Sequence, residues 1–407
     1  QFGRGLRKAE GKSHVDIFDY VGNCRAEFNY SDRMRAIIGR TSMSVEEEME
    51  RDCPHLPLGC KITLEPKAKE YIMANIRGAI KRFTTRKITS LIQNFDRHYS
   101  VPLTLKNFIE VYQVPLNKLY KERTWNQLLC ESEIESQLSK FNQELSRAVY
   151  RKWLATDSYS YFSFIHKLAQ DKFKVKVSDL SAIDQKRLLM LYYDLFETAG
   201  RFKNLQNMVD ELSEDHVLCN EIEEILELLL SKTKALEKED NSTLKGFPLK
   251  LHGIYTKAQI QVAIGTSTLE RKSPAREGAE RNKSLNVEAM FVDIIKNREE
   301  GSTTDYDDKA LSPYLFQWDT QNSVKPESNV GQAYINQTQT MLLFVREQKT
   351  FAEDKTRTMG YVYLGRVTLN DWEYKNLGSR MQMQIVWNMI EPIPGSVMHF
   401  ARMKEIA

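Results

Sequence analysis

Apolar residues between about 32 and 240 recur at helical spacing. In the stretch 69–95, Ile72, Ile76, Ile80 and Phe83 lie three or four positions apart, and basic residues fall outside that stripe. Further segments share the pattern: "LTLKNFIEVY", "ESQLSKFNQELSRAVYRKWL", "YSYFSFIHKLAQ", "QKRLLMLYYDLFETAG" and "NEIEEILELLLSK". Prolines and a glycine separate them, so the pattern predicts a helical domain over residues 51–230.

The pattern changes beyond residue 246. Short strand-like runs alternate with charged or glycine-bearing turns, and one helix is expected near "TKAQIQVAIG". The strand-like runs are "TMLLFVRE", "MGYVYLGRVTL" and "MQMQIVWNM". Residues 231–246 are charged, poor in apolar side chains and end in glycine, which is typical of a linker. The sequence therefore predicts an α+β protein with a small β-rich, barrel-like domain over 247–407.

Length and composition limit the class of protein. A chain of 407 residues with 41% hydrophobic residues is long enough for two or three domains. No apolar run reaches the length that spans a bilayer, and the amino terminus lacks the apolar core of a secretory signal. We expect a soluble, cytoplasmic protein without membrane contact.

Cysteine usage predicts thiols rather than a disulfide framework or a metal site. The five cysteines are scattered and odd in number, which suits a reducing compartment. Cys53 and Cys60 bracket His55 in "CPHLPLGC", but no second pair follows to complete a zinc site. We predict no metal ligands.

A local excess of positive charge stands out against a nearly neutral whole. The formal net charge is +3, whereas residues 61–123 contain 13 basic and 5 acidic residues. Basic side chains grouped in this way gain affinity for nucleic acid by releasing counterions from phosphates. The predicted contacts are Arg77, Lys81, Arg82, Arg86 and Lys87, with Arg97 and His98 as weaker candidates. The alternative is an ordinary solvated helix face.

Aromatic and acidic residues of the β-rich part suggest two further kinds of site. Tyr306, Trp318 and Tyr334 lie near amide side chains, a combination that stacks on and hydrogen-bonds a flipped or single-stranded base. Trp318 equally fits a core position. Arg346 ends a strand, where it is able to meet a phosphate or to be a plain surface residue.

A nuclease centre is a weaker interpretation of the same region. Glu288, Asp293 and Lys296 have the side chains that a magnesium-dependent nuclease needs. However, two residues separate Asp293 from Lys296, which is not the usual acidic-x-lysine spacing. We therefore do not include these residues in the predicted site.

The first residues, "QFGRGLR", are followed by an alternating, strand-like "HVDIFDY". Arg4 and Arg7 are three positions apart and would share one face of a helix. Guanidinium groups held together stabilise the charge that develops on a transferring phosphoryl group.

Gly3, Arg4 and Arg7 resemble motif VI of superfamily-2 helicases, Q-x-x-G-R-x-x-R, whose glutamine would fall one residue before Gln1. The resemblance implies that residues 1–50 end the second RecA-like domain and that Arg4 and Arg7 are catalytic toward ATP and Mg²⁺. Neither a G-x-x-x-x-G-K-[ST] loop nor a D-E-x-H box is present in the sequence. We expect the chain to be the carboxyl-terminal piece of a larger helicase and to bind neither cofactor alone.

The resemblance extends to a long uncharacterised region that follows the helicase core in bacterial DEAD/DEAH-type proteins. The segments that carry it are "HLPLGCKITLEPKAKEYI", "LIQNFDRHYSVPLTLKNFIEVY", "SPYLFQWDTQ" and "MLLFVRE". Several such proteins are associated with restriction or defence against phage, and some carry a phospholipase-D-like nuclease. The implied partners are DNA, the rest of the helicase core, and a nuclease domain or defence subunits.

Three hypotheses of function follow. The first is a DNA-gripping part of an ATP-dependent DNA helicase or translocase. The second is an interaction scaffold of a defence complex, in which DNA contact is incidental. In the third, the β-rich domain senses a modified base or another ligand.

Overall fold

A computed structural model places most of the chain beyond residue 45. The described residues are 30, 34, 37–38, 45–54, 56, 60–82, 84–98, 101–112, 114–240, 246–274, 278–295, 307–321, 324–376 and 381–402. Arg4, Arg7 and the strand expected after them lie outside these residues, as do His55, Lys296 and Tyr306. For residues 76–82, 97 and 98 the helical backbone is described without the side chains.

The described part of residues 45–232 is helical, as the periodicity predicts. Its helices are α1 (Val45–Glu50), α2 (Pro66–Arg82), α3 (Thr85–Gln93), α4 (Phe95–His98), α5 (Leu105–Tyr112), α6 (Leu116–Leu119), α7 (Trp125–Glu131), α8 (Asn142–Arg151), α9 (Tyr159–Gln170), α10 (Ala182–Phe196), α11 (Leu205–Ser213) and α12 (His216–Lys232). Five of these helices begin after a hydroxyl residue that accepts a first-turn backbone N–H: Thr84, Thr104, Thr124, Ser158 and Ser181.

Strands dominate the region after residue 250. They are β1 (Ile254–Tyr255), β2 (Ala279–Asn282), β3 (Val287–Ile295), β4 (Lys309–Ser312), β5 (Leu315–Asp319), β6 (Thr340–Gln348), β7 (Tyr361–Asn376) and β8 (Met381–Met389). Helices α13 (Lys257–Ala263), α14 (Asn329–Ile335) and α15 (Gly395–Ala401) accompany them. The expected α+β class, with a helix over "TKAQIQVA", is confirmed.

The strands form one mixed sheet in the order β2-β3-β6-β7-β8-β5-β4, with β1 paired to β7. Strands β3 and β6 are parallel, and the other pairs are antiparallel. In the described strands the path ends at β2 and β4 rather than closing as a complete barrel. Helix α15 contacts both β6 and β4, so the sheet curls around a shared core on that side.

Both faces of the sheet are buried. On β3, Val287, Ala289 and Phe291 belong to an apolar core that continues into the helices from α3 to α12. The alternate positions, including Met290 and Val292, belong to a second core with β5, β8, α14 and α15. This two-sided burial explains why β3 is apolar at nearly every position rather than at every second one.

The predicted linker is anchored in its described part. Glu237 Oε2 accepts the backbone N–H of Ser160 at 2.9 Å, and the Tyr255 hydroxyl lies 3.1 Å from Glu237 Oε1. The Tyr363 hydroxyl donates to Asp240 Oδ2 at 2.5 Å. The segment that follows α12 is therefore fastened to α9 and to the sheet, while the domain boundary placed at 231–246 stays a prediction.

Candidate nucleic-acid interface

Helix α3 presents two of the predicted basic residues to solvent. Thr84 caps its amino terminus by accepting the Lys87 backbone N–H at 3.3 Å. Ile88 and Ile92 lie on the opposite side and are buried, 3% and 1% exposed. Because helical spacing separates these two sets, Arg86 and Lys87 are directed outward and are exposed.

The two cations line an open surface depression. Its walls are Thr84, Arg86, Lys87, Ser90 and Leu91. The first-turn N–H groups of a helix carry a partial positive charge, which adds to the two cationic side chains. This combination of hydroxyls, cations and a helix amino terminus suits a phosphate oxygen.

Ion pairing distinguishes Arg86 and Lys87 from other basic residues of the same stretch. No ion pair joins either of them to a residue that the structure describes. By contrast, cationic nitrogens of three other residues lie within 3.3 Å of a carboxylate oxygen: Lys69 beside Asp52 at 2.7 Å, Lys106 beside Glu227 at 3.3 Å and Arg123 beside Glu131 at 2.9 Å. The charge of the exposed pair is thus available to an external anion.

Three other predicted contacts lie on α2. Arg77, Lys81 and Arg82 occupy its last turns, and α2 ends two residues before the Thr84 cap. Their side-chain positions are outside the described structure. The backbone nevertheless brings the end of α2 and the start of α3 next to each other along the chain.

Trp318 occupies a core position. This is the second of the two roles that the sequence analysis allowed for this residue. It is 5% exposed, and its ring meets Tyr334 edge-on with centroids 5.5 Å apart. The Trp387 ring lies at 6.4 Å. A base would reach the Trp318 ring only if this core opened.

Arg346 is committed to contacts inside the fold. Its Nε and Nη2 donate to the two carboxylate oxygens of Asp293 at 2.7 and 3.0 Å, and Nη1 donates to the Met359 carbonyl at 3.0 Å. The guanidinium also lies 4.1 Å from the centroid of the Tyr361 ring. Arg346 therefore holds β3, β6 and β7 together. Three of its five N–H groups are bonded inside the fold and its side chain is only 9% exposed, so it presents little to a phosphate.

The nuclease interpretation does not fit the sheet. Glu288 and Asp293 are five positions apart on β3, so their side chains lie on opposite faces. Glu288 accepts the Tyr334 hydroxyl at 2.7 Å on one face, while Asp293 binds Arg346 on the other. These two carboxylates cannot share one magnesium ion.

The cysteine pair shows no metal-binding geometry in the described part of the chain. Cys53 is 5% exposed, and burial raises the pKa of its thiol to about 11. Cys60 is exposed. Among the described residues, no group of three or more histidine, cysteine or acidic side chains is arranged to hold a metal ion.

Two buried carboxylates were not singled out by sequence reasoning. Glu221 on α12 accepts the Tyr120 hydroxyl at 2.7 Å and the backbone N–H groups of Trp125 and Asn126 at 2.6 and 3.1 Å. It thereby caps the amino terminus of α7. Glu221 lies four residues before the buried Ile225, and an acidic residue on an apolar stripe is a signal that the sequence contained.

The second buried carboxylate joins helices to the β-rich region. Asp194 on α10 accepts the Tyr161 hydroxyl at 2.8 Å, Gln259 Nε2 at 2.9 Å and Trp153 Nε1 at 3.1 Å. Burial raises the pKa of Asp194 to about 6 and that of Glu221 to about 7. Both groups are enclosed and fully partnered, so we assign them to structure rather than to a reaction.

The fold and this surface define a mixed α/β protein with a basic helix at its periphery. Residues 249–400 match a family model described as a domain of unknown function, DUF3427. No curated protein matches the chain. In the part of the chain that the structure describes, no helix combines the length and apolarity needed to cross a bilayer. Two of the segments that carried the resemblance, "SPYLFQWDTQ" and "MLLFVRE", lie within this match to a domain of unknown function.

Proposed function

We propose that this chain is the DNA-gripping, carboxyl-terminal part of an ATP-dependent DNA helicase or translocase. The observation that carries the proposal is the exposed Arg86 and Lys87 at the start of α3, since neither is neutralised by a described carboxylate. Contacts of this kind bind the phosphate backbone without reading sequence. That is the mode of binding a motor needs as it moves along DNA.

The motor part of the proposal is supported by the resemblance of Gly3, Arg4 and Arg7 to helicase motif VI. In that interpretation the two arginines contact ATP phosphates, and the missing phosphate loop and Mg²⁺ ligands lie in another part of the enzyme. The match of residues 249–400 to an uncharacterised domain agrees with the region that follows such helicase cores. We place this protein in restriction or defence against phage on the same resemblance.

DNA binding of the chain tests the proposal directly. We expect fluorescence polarisation to detect binding to a labelled duplex, with a steep decrease in affinity between about 50 and 200 mM salt. The Arg86→Ala/Lys87→Ala variant should reduce the log–log salt slope by roughly 2, about 0.9 for each lost phosphate contact. Lys174→Ala/Lys176→Ala, which removes two exposed cations from another segment, is the matched control and should behave like the wild type.

The rival function is an interaction scaffold, and one observation favours it. Leu311, Tyr314 and Ile390 are 41%, 55% and 43% exposed near the β4–β5 turn and the end of β8. The Met389 N–H donates to the Tyr314 carbonyl at 2.9 Å, which places these apolar groups near one another. If the wild-type chain fails to bind DNA even at low salt, the scaffold becomes the better account.

The arginine-finger role has a separate test in the longer enzyme. Arg4→Ala or Arg7→Ala should lower the rate of ATP hydrolysis on the order of 10³-fold, because an arginine finger stabilises charge in the transition state. Steady-state phosphate release in the presence of DNA measures this rate. Wild-type turnover in both variants would show that neither arginine acts on ATP.

A further inference from the structure

Three cationic side chains converge on one residue at the end of α10. Lys152 Nζ lies 3.4 Å from Glu197 Oε1, and Arg147 Nη1 lies 4.0 Å from Glu197 Oε2. Lys272 Nζ donates to the backbone carbonyl of the same Glu197. The three cations come from α8, from the residue that follows it, and from the loop before β2, so the tertiary structure assembles them.

The negative charge at this point does not balance the positive charge. Glu197 contributes one carboxylate, and the carboxyl terminus of α10 contributes about half a negative charge. Arg201 lies nearby, but its guanidinium is already paired with Glu144 at 2.9 Å. Asp194 on the same helix also interacts with the charge of Lys152, which opposes the burial that raises the pKa of Asp194. Three cations therefore face Glu197, Asp194 and the helix terminus, which leaves an excess of only about half a positive charge.

The cations also repel one another. The pKa of Lys272 is lowered by partial burial and then by the charge of Lys152, and Glu197 opposes the effect. The side chains of Arg147 and Lys152 remain accessible, 46% and 21% exposed. An external anion would relieve the repulsion, and a phosphate group offers several oxygens to cations that approach from different directions.

We propose that Arg147, Lys152 and Lys272 form a phosphate-binding site, here called the α10 cluster. The phosphate belongs either to a nucleic-acid backbone or to a free polyphosphate, because the cluster itself recognises only the anion. This site is additional to the surface on which the proposed function rests, because it uses none of the residues of α2 and α3. If a DNA phosphate backbone binds the α10 cluster, DNA contacts two separate basic surfaces, the start of α3 and the α10 cluster.

Two titrations with the whole chain test the α10 cluster. Polarisation with the labelled duplex compares the wild type with Lys152→Ala/Lys272→Ala, and we expect a salt slope lower by roughly 1–2 in the variant. Thermal unfolding in sodium pyrophosphate makes the same comparison for a free polyphosphate, and we expect a rise in Tm for the wild type but not for Lys152→Ala/Lys272→Ala. Lys152→Arg/Lys272→Arg keeps the charges and should bind, and Lys174→Ala/Lys176→Ala again serves as the surface control.

A second measurement uses the wild-type protein, so that the test does not depend on folding of the alanine variant. It asks whether a bound ligand protects the lysines from chemical modification. Acetylation followed by mass spectrometry should show Lys152 and Lys272 less modified when duplex or pyrophosphate is present, and Lys174 unchanged. A response to the duplex identifies a nucleic-acid backbone as the source of phosphate, and a response to pyrophosphate alone identifies a free polyphosphate.

The proposal is wrong if neither ligand protects these lysines and neither titration separates the variant from the wild type. Failure of the proposed function gives a different result. In that case Arg86→Ala/Lys87→Ala has no effect, while the α10 cluster still responds to a phosphate ligand.

Discussion

At the scale of single residues, the environment decides what an ionisable side chain does. Glu221 and Asp194 are acidic residues on otherwise apolar helix faces, and both end up enclosed. Each accepts three or more hydrogen bonds from hydroxyl, amide or indole donors. Arg86 and Lys87 are the opposite case, because their charges stay in solvent and are available to a ligand.

The buried carboxyl of Glu221 predicts a pH dependence of stability. Its pKa rises from 4.5 to about 7 on folding because burial disfavours the charged form. The folded state therefore holds an extra proton in that interval, so this contribution to stability is complete below pH 4.5 and is lost as pH rises through about 7. Asp194, whose pKa rises from 3.8 to about 6, acts with the same sign.

Urea unfolding from about pH 5 to about pH 8 measures this effect. The free energy of unfolding of the wild type should decrease over that range. Glu221→Gln, which cannot ionise, should show a shallower decrease, and the slope that remains comes partly from Asp194. Equal slopes in the two proteins would mean that Glu221 does not change its protonation on folding.

At the scale of elements, β3 and β6 are held by more than their parallel ladder. Asp293 and Arg346 are partners in that register, and their side chains form a two-pronged ion pair across the two strands. The Arg346 side chain is 9% exposed. The same strands contribute Phe291 and Phe344, whose rings stack with centroids 5.7 Å apart.

Arg346→Ala should therefore destabilise the fold without affecting DNA contact. Removing one partner of a mostly buried ion pair costs about 3 kcal/mol, because the other charge is left unpaired. Arg366→Ala removes an exposed arginine from β7 and is the control, with little change expected. Thermal and urea unfolding measure stability, and a duplex titration of the folded variant should retain the wild-type salt slope. Loss of DNA binding with unchanged stability would restore the phosphate role.

At the scale of the whole molecule, helices and sheet share one apolar core. Phe291, Phe344, Tyr361 and Tyr363 lie on the sheet face that packs with residues of α8 to α12. Asp194 on α10 bonds Gln259 on α13 across the same boundary. The region matched as an uncharacterised domain, 249–400, thus buries one face of its sheet against helices outside the match.

A fragment of residues 247–407 should consequently be poorly folded by itself. Cutting at the predicted linker exposes the aromatic face of the sheet, and exposed apolar patches of that kind favour aggregation. A fragment of residues 84–402, which keeps the helices, should unfold cooperatively and bind little of the dye ANS. Cooperative unfolding of the short fragment with low dye binding would instead support an independent domain over 247–407.

The sequence by itself determined the local elements. The helical stripe through "KITSLIQ", the strand "TMLLFVRE" and the helix "KAQIQVA" were predicted and are confirmed, because their periodicities and caps depend on residues within a few positions. The sequence also predicted that the basic residues of α3 are exposed, because an amphipathic pattern shows which face of a helix is apolar and which faces solvent.

Only the tertiary structure decided which polar and aromatic residues stay available to a ligand. Arg346 meets an aspartate 53 positions away, and Glu221 meets a tyrosine 101 positions away. No local pattern encodes such pairings, because they arise when distant segments enter a common core. For the same physical reason, Trp318 became a core residue, while Lys152 and Lys272 were brought together at the end of α10.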